Sequence, residues 1–251
     1  MMHKKILVTG ASSGFGNAIA RKFAAAGNDL IITGRRADRL ETLADELRES
    51  FGINVLVKVF DVQNREQVFA ALHGDPALEN LDLLVNNAGL ALGRDHFDQG
   101  NIDDWETMID TNLKGLLYVT RAVLPGLINN GKGHIINIGS TAGKEAYEKG
   151  NVYCASKTAV DAISQSMRID LLKHRIKVTV VHPGAAETEF SMVRFKGDEQ
   201  TAKSVYEGYK PLQAEDIADT VHYCANLPEH VCINSVVMTC TSQANSFYLY
   251  K

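Results

Sequence analysis

Hydrophobic residues along this chain gather in short runs set apart by longer amphipathic stretches. Residues 4–9, 29–33, 54–60, 81–85, 132–138, 176–182 and 231–239 are dense in Val, Ile and Leu with little polar alternation, the pattern of strands buried on both faces. Between them apolar positions recur at helical spacing. Helices are predicted from the glycine turn at 10–16 to residue 26, over 36–50, 65–72, about 103–128, about 152–174 and 214–226. The fourth of these carries Trp105, Met108 and Ile109 on one face, and Pro125-Gly126 predicts a kink or interruption near its end. Strand and helix alternate throughout. The expected fold is therefore α/β: a single-domain, Rossmann-type, doubly wound parallel sheet of about seven strands with helices on both faces, spanning residues 1–251.

Two stretches break the rhythm. Residues 90–101 are rich in Asp and Gly, and 187–210 are polar and irregular. Connections of that length in a compact domain are usually functional, so the first is placed at the mouth of a site and the second is read as a substrate lid. The tail, 242–251, ends in Phe247-Tyr248-Leu249-Tyr250 and is expected to dock on the fold or on a neighbouring subunit.

Composition narrows the function. A chain of 251 residues, 45% hydrophobic and 22% charged, has the makeup of a soluble globular protein. Its net charge of −4, with no long basic run, argues against nucleic-acid and membrane partners. The apolar run at the start ends in a glycine turn and reads as a strand, not a signal peptide. The four cysteines, Cys154, Cys224, Cys232 and Cys240, have neither metal-ligand nor disulfide-framework spacing. No metal is expected, and reduced thiols fit a cytoplasmic location.

The first strand runs into Gly10-Ala11-Ser12-Ser13-Gly14-Phe15-Gly16, which opens a helix. Strand, glycine turn and helix N-terminus make a phosphate cradle for a dinucleotide, because glycines let backbone N–H groups approach a pyrophosphate; a plain connecting turn is the alternative. The second strand ends in Gly34-Arg35-Arg36 with no acidic residue. Arginine there suits a 2′-phosphate, so NADP(H) is expected with Arg35 as its partner and Arg36, Ser12 and Ser13 as auxiliaries, unless the arginines merely begin an exposed helix. Asp61-Val62 closes the third strand, as an adenine contact or as an N-cap for the next helix. Asn86-Asn87-Ala88-Gly89 closes the fourth, where Asn87 would tie strands and line a nicotinamide pocket. Pro183-Gly184, with Thr188, follows the sixth.

Tyr153 and Lys157 lie one helical turn apart in Tyr153-Cys154-Ala155-Ser156-Lys157, so a phenol and an ammonium share a face. A nearby cation would draw the phenol's pKa toward neutrality and make Tyr153 a general acid/base. Ser140, after the fifth strand, would orient a carbonyl, and Asn112 inside a helix suggests a hold on water near Lys157.

Together these motifs resemble the short-chain dehydrogenase/reductase family in order and spacing, over nearly the whole chain. The resemblance implies a catalytic set of Asn112, Ser140, Tyr153 and Lys157, a cofactor site including Gly10, Gly14, Gly16, Arg35, Asp61, Asn87 and Thr188, and a homotetramer. Gly150-Asn151-Val152-Tyr153, the 187–198 stretch and Pro228-Glu229-His230 look like the branch of NADP-dependent serine, allo-threonine and 3-hydroxy acid dehydrogenases. Cys154, Ala185-Ala186 and the tail depart from that branch. The activity expected is interconversion of a secondary alcohol and a ketone in a small 3-hydroxy acid, whose carboxylate would meet Arg194, with Lys144 as second candidate. A reductase of bulkier ketones and a non-catalytic NADPH sensor are the alternatives.

Overall fold

A computed structural model describes residues 3–251. Its sheet has seven strands, all parallel, in the order β3-β2-β1-β4-β5-β6-β7. In chain order the elements are β1 (Lys5–Thr9), α1 (Gly14–Ala25), β2 (Asp29–Gly34), α2 (Ala37–Phe51), β3 (Val55–Val59), α3 (Arg65–Leu72), β4 (Leu83–Asn86), α4 (Ile102–Ile109), α5 (Leu116–Asn130), β5 (His134–Ile138), α6 (Asn151–Asp170), β6 (Lys177–Pro183), α7 (Phe190–Arg194), α8 (Glu199–Ser204), α9 (Ala214–Ala225) and β7 (Ser235–Met238). The expected fold class is the one observed.

Alternation along the strands separates two cores. Ile6 and Val8 of β1 join Phe23 of α1, Leu43 of α2 and Val221 of α9 on one face. Leu7 points the other way, to Leu72 of α3 and to Val119, Val123 and Leu127 of α5. Because both faces are covered over the central strands, Ile6–Val8, Leu30–Ile32 and Leu83–Val85 run without a polar position, whereas edge strands β3 and β7 are partly exposed. Strand order reverses between β1 and β4, and the crevice at the carboxyl ends of those strands is where open α/β sheets take ligands.

Four local expectations are corrected. The helix predicted over 103–128 is α4 and α5 joined by a π-helical segment, Asp110–Gly115, that contains Asn112. Pro125 lies inside α5, which continues to Asn130; burial of Val119, Val123 and Leu127 holds the helix through the missing backbone hydrogen bond. Ile109 is exposed whereas Met108 is buried, so the two do not share one face. Residues 187–210 contain α7 and α8 and are only partly irregular.

The tail folds back on its own chain. Tyr250 N–H donates to the Ser242 carbonyl and Gln243 Oε1 accepts from the Ala185 N–H at 2.7 Å, while Phe247, Tyr248 and Tyr250 leave their rings exposed. No helix among the described residues is long and apolar enough to cross a membrane.

Candidate active site

A cavity of about 480 Å³ opens at the carboxyl ends of the strands. One end is the glycine turn. Gly16 packs so closely that a Cβ would lie 2.3 Å from the Gly10 carbonyl oxygen, which any other residue would push apart. Ser13, at the N-cap of α1, makes no side-chain bond into the helix, so the first-turn N–H groups remain open to an anion. Gly10, Ser12, Ser13, Gly14 and Phe15 face the cavity; Gly16 supports the turn from behind.

Arginines gather at the far end of this cradle. Arg36 donates to the hydroxyls of Ser12 (3.1 Å) and Ser13 (2.7 Å) and pairs with Glu189 at 3.0 Å. Arg39 meets the other oxygen of Glu189 at 2.7 Å, and Arg35 lies 3.6 Å from Asp61. Arg36 binds the serines, whereas Arg35 is the more solvent-exposed. Asp61 is not the helix cap; Asn64 takes that place, accepting from Gln67 N–H. Val62, Asn87, Ala88, Gly89, Pro183, Gly184 and Thr188 line the middle of the cavity. Asn87 ties β4 to β1 by donating to the Thr9 carbonyl at 2.8 Å, as expected of a strand-end asparagine.

At the inner end Tyr153 and Lys157 rise from the first turns of α6. Both are buried, 8% and 6% exposed. Burial and the neighbouring Tyr147 hold the Tyr153 phenol well above its usual range, while Ser140 and Arg194 pull the other way. Burial also lowers Lys157, to about 8. Its ammonium donates to the Ile138 carbonyl at 3.0 Å. Lys157 is not among the groups that shift the phenol, and desolvation favours its protonated form. Ser140 oxygen accepts from the Ala142 N–H at 3.1 Å, and its hydroxyl donates to the Pro183 carbonyl at a long 3.5 Å, a weak contact that a substrate oxygen can displace.

Asn112 sits behind this group and does not line the cavity. Its Nδ2 donates to the Leu90 carbonyl (2.8 Å) and to Ser156 Oγ (3.0 Å), and its Oδ1 accepts from the Leu90 N–H (2.8 Å). The side chain is a strut for Leu90 with both amide hydrogens engaged, so it can meet a water near Lys157 only through Oδ1. Lys144 is also displaced from its expected role. It pairs with Asp161 at 2.8 Å, outside the cavity.

Arg194 does reach the site. Its guanidinium carbon lies 5.6 Å from the Tyr153 ring centre and 5.7 Å from that of Tyr147, whose hydroxyl accepts from it at 2.9 Å. Arg194 also binds the 90–101 loop twice, through its side chain to the Gly93 carbonyl and through its own carbonyl to the Gly93 N–H. Phe190 packs on Tyr153 with ring centres 5.7 Å apart. Tyr147, Arg94 and Gln243 line the cavity as well. Arg94 belongs to a loop that sequence places at the mouth, but Tyr147 and Gln243 carry no sequence signal, since only folding brings them there.

The short-chain dehydrogenase family model matches residues 4–199. The chain belongs to the short-chain dehydrogenase family. Among proteins of known activity, it is 50% identical over 241 residues to the NADP-dependent 3-hydroxy acid dehydrogenase YdfG of Salmonella typhi, covering 95% of this chain and 96% of that one. It is 46% identical over 245 residues to sulfoacetaldehyde reductase 2 of Chromohalobacter salexigens, covering 97% and 96%. The closed form of a serine dehydrogenase complexed with NADP+ superposes with a TM-score of 0.90 at 46% identity, covering 96% of this chain and 97% of that one. This short-chain dehydrogenase therefore carries its family's order of motifs on the family's sheet.

Proposed function

We propose that this protein is an NADP(H)-dependent oxidoreductase that interconverts a hydroxyl and a carbonyl group in a small 3-hydroxy acid such as serine, allo-threonine or a 3-hydroxypropionate-like compound. The observation that carries this reading is Arg194: a guanidinium beside the Tyr153 ring offers a substrate carboxylate a cation next to the acid/base group. NADP(H) fits the cavity through the open amides of α1 for its pyrophosphate, Arg35, Arg36 and the two serines for its 2′-phosphate, and Lys157 with Asn87 near the nicotinamide end. When bound, the nicotinamide donates hydride to the carbonyl carbon or accepts it from the alcohol.

The chain's own residues manage the oxygen. Ser140 turns its hydroxyl hydrogen from the long Pro183 contact to the substrate oxygen and fixes the carbonyl's orientation. Tyr153, held protonated by burial, gives its proton to that oxygen as negative charge develops, and takes it back in the oxidative direction. Lys157 supplies positive charge behind the site, and Asn112 keeps Leu90 and the adjoining Gly89 against it. Phe190 and Arg194 pack against the Tyr153 ring with Tyr147 beside them, a setting that suits small anionic substrates better than bulky ketones. Assembly as a homotetramer rests on family likeness and is supported by exposed Val237 on edge strand β7 and Tyr223 on α9.

The test is a panel of 3-oxo acids with NADPH and of 3-hydroxy acids with NADP+, run beside Tyr153→Phe. Turnover is expected on small acids, with kcat lowered roughly 100- to 10,000-fold in the variant and NADPH binding kept. Equal rates in both proteins would remove the assignment of Tyr153; tight NADPH binding without turnover on any carbonyl would favour the sensor.

A further inference from the structure

We propose that His182 is a positioning residue for Ser140, gripping the serine's main-chain carbonyl so that the hydroxyl faces the substrate. The inference rests on the reading of Ser140 as the group that orients the carbonyl. His182 lies near the end of β6, entirely buried, and does not line the cavity. Its Nδ1 is 3.1 Å from the Ser140 carbonyl oxygen. The ring is seated tightly: a Cβ on Gly139 would lie 2.6 Å from Nδ1, so the residue before Ser140 has no side chain where the imidazole packs.

The other side of the ring is also built. Nε2 is 3.5 Å from Asp161 Oδ1, and Asp161 Oδ2 accepts from Lys144 at 2.8 Å. Asp161 sits one helical turn beyond Lys157 on α6, so the helix that carries the proton-transfer pair also backs the histidine. Lys144 follows Ser140 by one short turn, which closes the chain Lys144, Asp161, His182, Ser140.

A carbonyl can only accept a hydrogen bond. At 3.1 Å a bare Nδ1 would face the Ser140 oxygen lone pair to lone pair, whereas at 3.5 Å the carboxylate tolerates a bare Nε2 better. Nδ1 therefore carries a proton whether the ring is neutral or charged. Burial and Lys144, with a smaller push from Lys157, hold the ring below its ordinary range, while the Ser140 carbonyl and Asp161 oppose them. The grip on Ser140 persists in either state.

Three measurements on the full-length enzyme decide the matter. Histidine ¹⁵N NMR of the wild-type protein, assigned by comparison with a His182 variant, should show Nδ1 protonated; a ring protonated on Nε2 alone overturns the proposal. His182→Leu should lower kcat about 10- to 100-fold with the KM for NADPH within about twofold, because the hydroxyl is misaimed while the cofactor site is untouched. His182→Asn, whose Nδ2 can donate from nearly the same place, should recover kcat to within about threefold. A folded His182→Leu enzyme with wild-type kcat, or an asparagine variant as impaired as the leucine one, overturns it, and if the leucine variant does not fold the tautomer decides. Ser140→Ala is the control. Wild-type kcat there would remove the reading of Ser140 itself, a failure distinct from a wrong role for His182.

Discussion

Lys157 and Tyr153 show what burial does to two opposite titrations at once. The phenol is favoured in its protonated form and the amine in its uncharged form, because each neutral state avoids a desolvated charge. For Lys157 the folded value of about 8 lies below the ordinary lysine value of 10.5. Below pH 8 both folded and unfolded chains hold the proton, so the native state bears the full cost of the buried ammonium; between about 8 and 10.5 only the unfolded chain keeps it, and stability climbs with pH. Lys157→Met should therefore raise stability at pH 7 by roughly 1–3 kcal/mol, less whatever the unpartnered Ile138 carbonyl costs, while turnover collapses. Urea unfolding at pH 7 and pH 10 checks this; a variant less stable than wild type at pH 7 would contradict it. Sequence made the pair itself legible, since their spacing on one helix is local. The direction of the phenol's shift was not, because desolvation depends on what α6 packs against. Lys144, His182 and Asp161 lie too far apart in the chain to be read as a group, so Lys144 looked like a free cation.

At the scale of elements, the strands were legible because a parallel sheet covered on both sides favours runs dense in apolar residues, as Ile6–Val8 of β1, Leu30–Ile32 of β2 and Leu83–Val85 of β4 show. Helices α7 and α8 were not, since each is too short to display helical periodicity, and the π-helical segment keeps the composition of the helices that flank it. Yet that segment and α7 carry Asn112 and Arg194, the residues that hold the Leu90 and Gly93 backbone around the cavity. Arg194→Leu should reduce kcat/KM for 3-hydroxy acids about 10- to 100-fold, the worth of a charge-assisted hydrogen bond, but change an uncharged alcohol far less. Equal losses on both substrates would mean that Arg194 only braces the loop. The first residue of β5 bears on pH stability. His134 is buried, bonded to Thr179 at 2.8 Å, and lowered to about 3 by burial. As pH falls from about 6.5 toward 3 the unfolded chain binds a proton that native His134 refuses, so stability is lost across that window. His134→Gln should flatten the decline, as followed by thermal unfolding between pH 4 and 7.

Over the whole molecule, the reversal of strand order puts one ligand across two halves of the chain. The glycine turn and the arginines follow β1 and β2, whereas Ser140, Tyr153 and α7 follow β5 and β6. A dinucleotide bridging them binds only the native assembly of both halves, so it should stabilise the fold by mass action, about 2.7 kcal/mol at a hundred times its Kd. The arginine cluster makes that effect selective. Arg35, Arg36 and Arg39 bring three positive charges against the two carboxylates Asp61 and Glu189, leaving an excess that a 2′-phosphate can neutralise and a 2′-hydroxyl cannot. Thermal unfolding with equal NADP+ and NAD+ should therefore show the larger shift with NADP+. Replacing Arg35 and Arg36 together by alanine should weaken NADP+ roughly 10- to 1000-fold while NAD+ changes little, bringing the two shifts together. The preference should also shrink with salt, since these arginines are partly exposed and their attraction is screened. A double variant that still prefers NADP+ as strongly as wild type would place 2′-phosphate recognition elsewhere, and would reduce Arg36 to a brace between Ser13 and Glu189.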